Sequence, residues 1–154
     1  MARDARIRLI IDTNIFFSSI FYPDGKEHRL FELADSGLWQ IIICDYVFDE
    51  IQMVLKRKGI DPNLAIDLLD TYRNIVHADL DPEVYHRYLP LANELVADKK
   101  DRPVFIFAKQ EIERDEDTYL VSGDKDLNTT KVKNALNNRA FKTTELLKLL
   151  KVKY

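Results

Sequence analysis

Apolar residues follow two rhythms along this chain. Short runs recur: Ile7–Ile11, interrupted only by Arg8, then Trp39–Cys44, Ile75–Ala78, residues 118–122 and Ala140–Phe141. The first two read as strands buried on both faces, and Ile41, Ile42 and Ile43 are β-branched throughout. Between the runs, apolar residues fall at helical spacing. Residues 14–21 open a short helix, and Tyr22-Pro23-Asp24-Gly25 reads as a turn, with Gly25 permitting positive φ. Residues 27–34 form a helix closed by Gly37. Asp45 is expected to cap a helix that carries Val47, Phe48, Ile51, Val54 and Leu55 on one face and ends near Gly59. Asp61-Pro62 and Asp81-Pro82 open two more, the second expected to break at Pro90. Asp101-Arg102-Pro103 caps a helix over 104–112; further helices cover 128–137 and the basic C-terminal stretch from Thr143. Strands alternate with helices, and no hairpin signal joins two strands. The expectation is an α/β fold, a single domain over 1–154 with a central, mainly parallel sheet and helices on both faces.

Composition adds limits. A net charge of −3 in 154 residues is unlike a globally basic nucleic-acid binder, although basic side chains can still cluster locally. The lone Cys44 excludes an internal disulfide, reads as a buried packing thiol and fits a reducing compartment. No apolar run approaches the ~20 residues of a membrane span. With no signal peptide evident at the N-terminus, the location expected is cytoplasmic and off the membrane.

The chemistry lies in the carboxylates. Asp12 ends the first buried strand, where ligands gather in open α/β sheets. Asp124 follows a later strand in Ser122-Gly123-Asp124-Lys125-Asp126, and faces Asp12 if the two strands are neighbours. Asp101 starts a helix, and Glu50 lies in the second turn of the helix after the second strand, on a mostly apolar face. Singly each has an ordinary reading: Asp124 as a turn residue, Asp101 as a cap, Glu50, Asp98 and Asp126 as solvated surface charges. Converging, they would repel one another unless a divalent cation supplied positive charge. An all-oxygen set suits Mg²⁺ or Mn²⁺. Zinc is disfavoured, since Cys44, His28, His77 and His86 make no ligand spacing.

These residues resemble the PIN domain family of metal-dependent ribonucleases. Ile10-Ile11-Asp12-Thr13-Asn14 is similar to the family's opening motif, and Phe48-Asp49-Glu50-Ile51 carries its glutamate. Asp98-Lys99-Lys100-Asp101-Arg102-Pro103 is similar to the third acidic segment, with Asp101 as the acid. Val121-Ser122-Gly123-Asp124-Lys125-Asp126-Leu127 is similar to the last, with Asp124 as the acid. Residues 59–98 match nothing diagnostic, and Phe105 and Phe107 are bulkier than the Ala-rich run common there.

The resemblance implies a three-layer α/β/α sandwich and an endonuclease that hydrolyses single-stranded RNA with Mg²⁺ or Mn²⁺. Asp12, Asp101 and Asp124 would hold metal, Glu50 would bind metal or orient water, and Thr13, Asn14, Ser122, Asp98 and Asp126 would support them. Lys99, Lys100, Arg102 and Lys125 are the nearest candidates for RNA contacts, while Lys148, Lys151 and Lys153 read as solvated or partner-facing. Many stand-alone PIN domains are VapC-like toxins of type II toxin–antitoxin pairs, so a homodimer and an antitoxin partner are expected; others process RNA alone. Two other readings remain. A catalytically inactive PIN-like module would bind RNA or protein without cleavage. A receiver-like phosphotransfer domain would phosphorylate Asp12 opposite Lys125, but the first segment lacks the acidic pair this chemistry needs.

Overall fold

In the computed structural model, which describes residues 6–152, five strands form one all-parallel sheet in the order β3-β2-β1-β4-β5. They are β1 (Ile7–Ile11), β2 (Trp39–Cys44), β3 (Ile75–Ala78), β4 (Thr118–Val121) and β5 (Ala140–Phe141). Among the described residues the helices are α1 (Thr13–Phe21), α2 (Lys26–Asp35), α3 (Asp45–Arg57), α4 (Asn63–Thr71), α5 (Pro82–Leu95), α6 (Arg102–Arg114), α7 (Thr130–Ala135) and α8 (Thr143–Leu149). They flank the sheet to give the expected α/β/α layers. None is long and apolar enough to cross a membrane. Lys153 lies outside the described residues.

The core follows from the strand sequences. Leu9, Ile10, Ile11, Ile41, Ile42 and Ile43 are completely buried, each stabilising the fold by roughly 1.5–3 kcal/mol. Ile7 and Arg8 keep some exposure, so β1 is covered on both faces only in its second half. Trp39 is also fully buried, and its indole Nε1 donates to the Leu30 carbonyl at 2.8 Å, tying α2 to the start of β2. Gly37 and Gly59 follow α2 and α3 with φ of +92° and +74°, the left-handed conformation that ends a helix at glycine without steric cost. Cys44 is buried, and burial pushes its thiol up to about 11, as a packing role requires.

Local expectations fail in instructive places. Pro90 does not break α5, which runs unbroken from Pro82 to Leu95. Asp45 is the first residue of α3, not its cap; Cys44 holds the cap position, and Asp45 Oδ1 instead accepts from the backbone N–H groups of Tyr46 (2.8 Å) and Leu80 (3.4 Å). Gly25 has φ −85°: the turn needs glycine for space, since a Cβ there would sit 3.0 Å from the Tyr22 carbonyl oxygen. The helix expected over 128–137 is only Thr130–Ala135, because the Thr129 side chain caps it. The final helix stops at Leu149.

Candidate active site

The strand order reverses between β1 and β4: the chain leaves β1 toward β2 on one side and returns to β4 on the other. Such a switch point opens a crevice at the carboxyl ends of its two strands. The register pairs Ile11 with Val121, so Asp12 and Ser122 emerge side by side.

Asp12 caps α1. Its Oδ1 accepts from the Ile15 N–H at 3.0 Å, and its Oδ2 accepts the Ser122 hydroxyl. Only 6% of Asp12 is exposed. Burial pushes its carboxyl above the ordinary range; the donors on Ser122 and Ile15 pull it back, and the charges of Asp124 and Glu50 push it up again. Ser122 also joins the two strand ends, because its Oγ accepts the Asp124 N–H at 3.0 Å.

The remaining acids come from two short 3₁₀ turns. Asp124 caps the turn Lys125–Leu127 through the Asp126 N–H (2.8 Å), and Asp98 caps the turn Lys99–Asp101 through the Lys100 N–H (3.0 Å). The Asp98 N–H donates to Asp126 Oδ2 at 3.2 Å, stitching the turns together. Asp101 occupies the cap position of α6, yet its side chain caps nothing, and its Oδ2 is buried without a hydrogen-bond partner. Burial, then a carboxyl–carboxyl hydrogen bond with Asp124, then the charges of Asp124, Asp98 and Asp12 push Asp101 up to about 8. Asp98, Asp101 and Asp126 each place one carboxylate oxygen within 4.8 Å of the others. The tightest acid cluster thus contains two residues expected only in support, with Asp101 shared between it and Asp124. Glu50 is half-buried in the second turn of α3, and its charge reaches Asp12.

The other candidates divide. Thr13 is buried directly behind Asp12, whereas Asn14 is exposed. Lys99, Lys100 and Lys125 are exposed beside the acids. Arg102 points its guanidinium at the carbonyls of Val96 (2.9 Å) and Ala97 (3.3 Å), holding the segment before Asp98. Two residues at the site escaped the sequence reading. Asn128 Nδ2 donates to the carbonyls of Ser122 (2.9 Å) and Asp124 (2.7 Å), pinning the last acidic turn. Burial raises the Tyr46 phenol, and the charges of Glu50, Asp101 and Asp98 raise it further. Position i−4 to Glu50 on α3 was the available signal for Tyr46, whereas Asn128 follows a 3₁₀ turn and carried no such periodic signal.

With this geometry in hand, comparison with known proteins assigns the class. A family model described as PIN domain matches residues 8–126, and the chain belongs to that family. Among solved structures, it is similar to a chain of the crystal structure of VapBC2 from Rickettsia felis bound to a DNA fragment from their promoter. That match has 18% identity and a TM-score of 0.61, covering 88% of this chain and 98% of that one. It is also similar to a chain of a toxin–antitoxin complex from Klebsiella pneumoniae, with 16% identity, a TM-score of 0.58, and coverage of 88% and 97%. No curated protein sequence matches significantly. At the level of the family, the chain is a PIN-domain protein, and PIN domains are generally nucleases.

Proposed function

We propose that this protein is a metal-dependent endoribonuclease that hydrolyses phosphodiester bonds in single-stranded RNA and serves as the toxin of a type II toxin–antitoxin pair. The observation that carries the reading is the uncompensated acid cluster at the β1/β4 switch point, above all the buried Asp101 oxygen without a partner. In a finished structural network such an atom is hydrogen-bonded. Here the donor set is all oxygen and carries excess negative charge, which fits a hard dication such as Mg²⁺ or Mn²⁺. Asp12, Asp101 and Asp124 would hold it, with Asp98 and Asp126 beside them. When bound, such a cation acidifies water and offsets charge on the phosphodiester oxygens.

The chain's own residues do the rest. Ser122 and the Ile15 N–H fix both oxygens of Asp12. Asn128 and Ser122 hold the Asp124 backbone so that its carboxylate stays at the crevice. Glu50 accepts a proton from the attacking water. Lys99, Lys100 and Lys125 hold RNA phosphates. The solved relatives in toxin–antitoxin assemblies support an antitoxin partner, and a homodimer is the assembly proposed. The test is cleavage of a labelled single-stranded RNA with Mn²⁺, with EDTA, and by Asp12→Asn. Cleavage lost in the last two supports the reading; cleavage that survives either one contradicts it.

A further inference from the structure

Beside the acidic crevice runs a groove of about 320 Å³, lined by residues of three elements, among them Asp45, Tyr46, Asp49, Tyr85, His86 and Pro103. It lies next to the site, since the charges of Glu50, Asp101 and Asp98 reach the Tyr46 phenol on its wall. Tyr46 shares a face of α3 with Glu50 at i, i+4, and Pro103 is two residues beyond Asp101. Tyr46 and Tyr85 are half-buried, His86 is exposed, and the Tyr85 and His86 rings meet edge to face with centroids 5.8 Å apart.

We infer that this groove is a nucleobase subsite that selects guanine next to the scissile phosphate, an assignment that rests on the ribonuclease reading. Aromatic side chains beside a phosphodiester site offer stacking surfaces to unpaired bases. The groove's two carboxylates repel a phosphate, so its occupant is the base and not the backbone. Asp45 is held by the Tyr46 and Leu80 N–H groups, whereas Asp49 is exposed and carries an acceptor pair. Guanine alone among the four bases presents two adjacent N–H donors, at N1 and N2, which match both oxygens of a carboxylate. Adenine and cytosine pair one donor with an acceptor on that edge, and uracil flanks its single donor with carbonyls.

The test uses fluorescein-labelled uridine hexamers carrying A, C, G or U at one central position. Binding to the whole protein in Ca²⁺ is read by anisotropy, with each RNA confirmed intact on a gel. The guanine hexamer should bind at least about fivefold more tightly than the others, the range of one bidentate contact. Asp49→Asn should bring all four within about twofold of one another. Tyr46→Ala should weaken binding by about fivefold or more, and Tyr46→Phe should restore it. Equal binding of the four hexamers, or a guanine preference that survives Asp49→Asn, overturns the assignment and leaves the groove as a surface for a protein partner. Guanine-selective binding without cleavage in Mn²⁺ keeps the subsite and removes the nuclease. Cleavage without base preference does the reverse.

Discussion

Two buried carboxylates, Glu111 and Asp12, are almost equally hidden, 5% and 6% exposed, and are treated in opposite ways. Glu111, on α6, sits against the amino-terminal ends of β1 and β4. Its Oε1 meets Arg8 at 2.8 Å and its Oε2 meets Arg114 at 3.1 Å, while Gln110 donates to Oε2 at 3.1 Å. Arg8 is itself anchored on the Thr118 hydroxyl at 3.1 Å, so the network locks β1, β4 and α6 together. Asp12, at the carboxyl end of β1, has only a hydroxyl and a peptide N–H, and its charged neighbours are acids. Along α6 the two regimes are separated by roughly 15 Å of helix, from Asp101 to Glu111. Where burial serves structure, the chain supplies cations; at the crevice it withholds them. A buried charge left without its partner costs several kcal/mol, so the withheld charge is what an external dication would provide.

Substitutions should therefore have opposite signs at the two places. The largest effect is on activity: Asp12→Asn or Asp101→Asn should lower RNA cleavage by on the order of 10³-fold, measured as single-turnover rates in Mn²⁺. Next comes stability at the other end. Glu111→Gln strands Arg8 and should cost about 3 kcal/mol in urea unfolding while leaving the cleavage rate per folded molecule unchanged. Asp101→Asn should instead raise the thermal midpoint of the metal-free protein at pH 7, because a neutral amide removes the cost of keeping this carboxyl protonated in the folded chain.

The pH dependence sharpens the same contrast. Asp101 keeps its proton up to about 8 in the folded chain, against an ordinary value of 3.8. The native state then binds more protons than the unfolded state across that window, so stability falls as pH rises from about 4 to about 8 and levels off above it. In Asp101→Asn this slope should flatten; thermal unfolding at a series of pH values in EDTA reads it. The smallest effect is expected at the rim. Lys125→Gln removes one exposed charge and should reduce the slope of log affinity against log salt for a single-stranded RNA by about 0.7.

The layering was legible because β1 and β2 are short apolar runs rich in isoleucine, bounded by cap and turn residues and too short for a buried helix such as α6. Alternation with helices then implied parallel neighbours. Helix ends were less legible, because they depend on contacts distant in sequence: Asp45 turns to the Leu80 N–H, and Pro90 is carried within α5. At the crevice, position at two strand ends and one helix start made Asp12, Asp124 and Asp101 candidates. It could not show that the turns carrying Asp98 and Asp126 are bonded to each other, since those residues are 28 apart and meet only once the sheet is built. Tyr46 was hidden for another reason: within a run of apolar helix positions, an aromatic reads as core.

The most direct measurement is calorimetric titration of Mn²⁺ into the protein at pH 7, in two buffers of different ionisation enthalpy, with wild type and Asp101→Asn. A carboxyl that holds its proton in the absence of metal must release it to a cation, so the wild type should give up about one proton per ion bound, and Asp101→Asn markedly less. Binding with no proton release, or release undiminished in Asp101→Asn, contradicts the claim that the crevice holds an acid that a bound dication ionises.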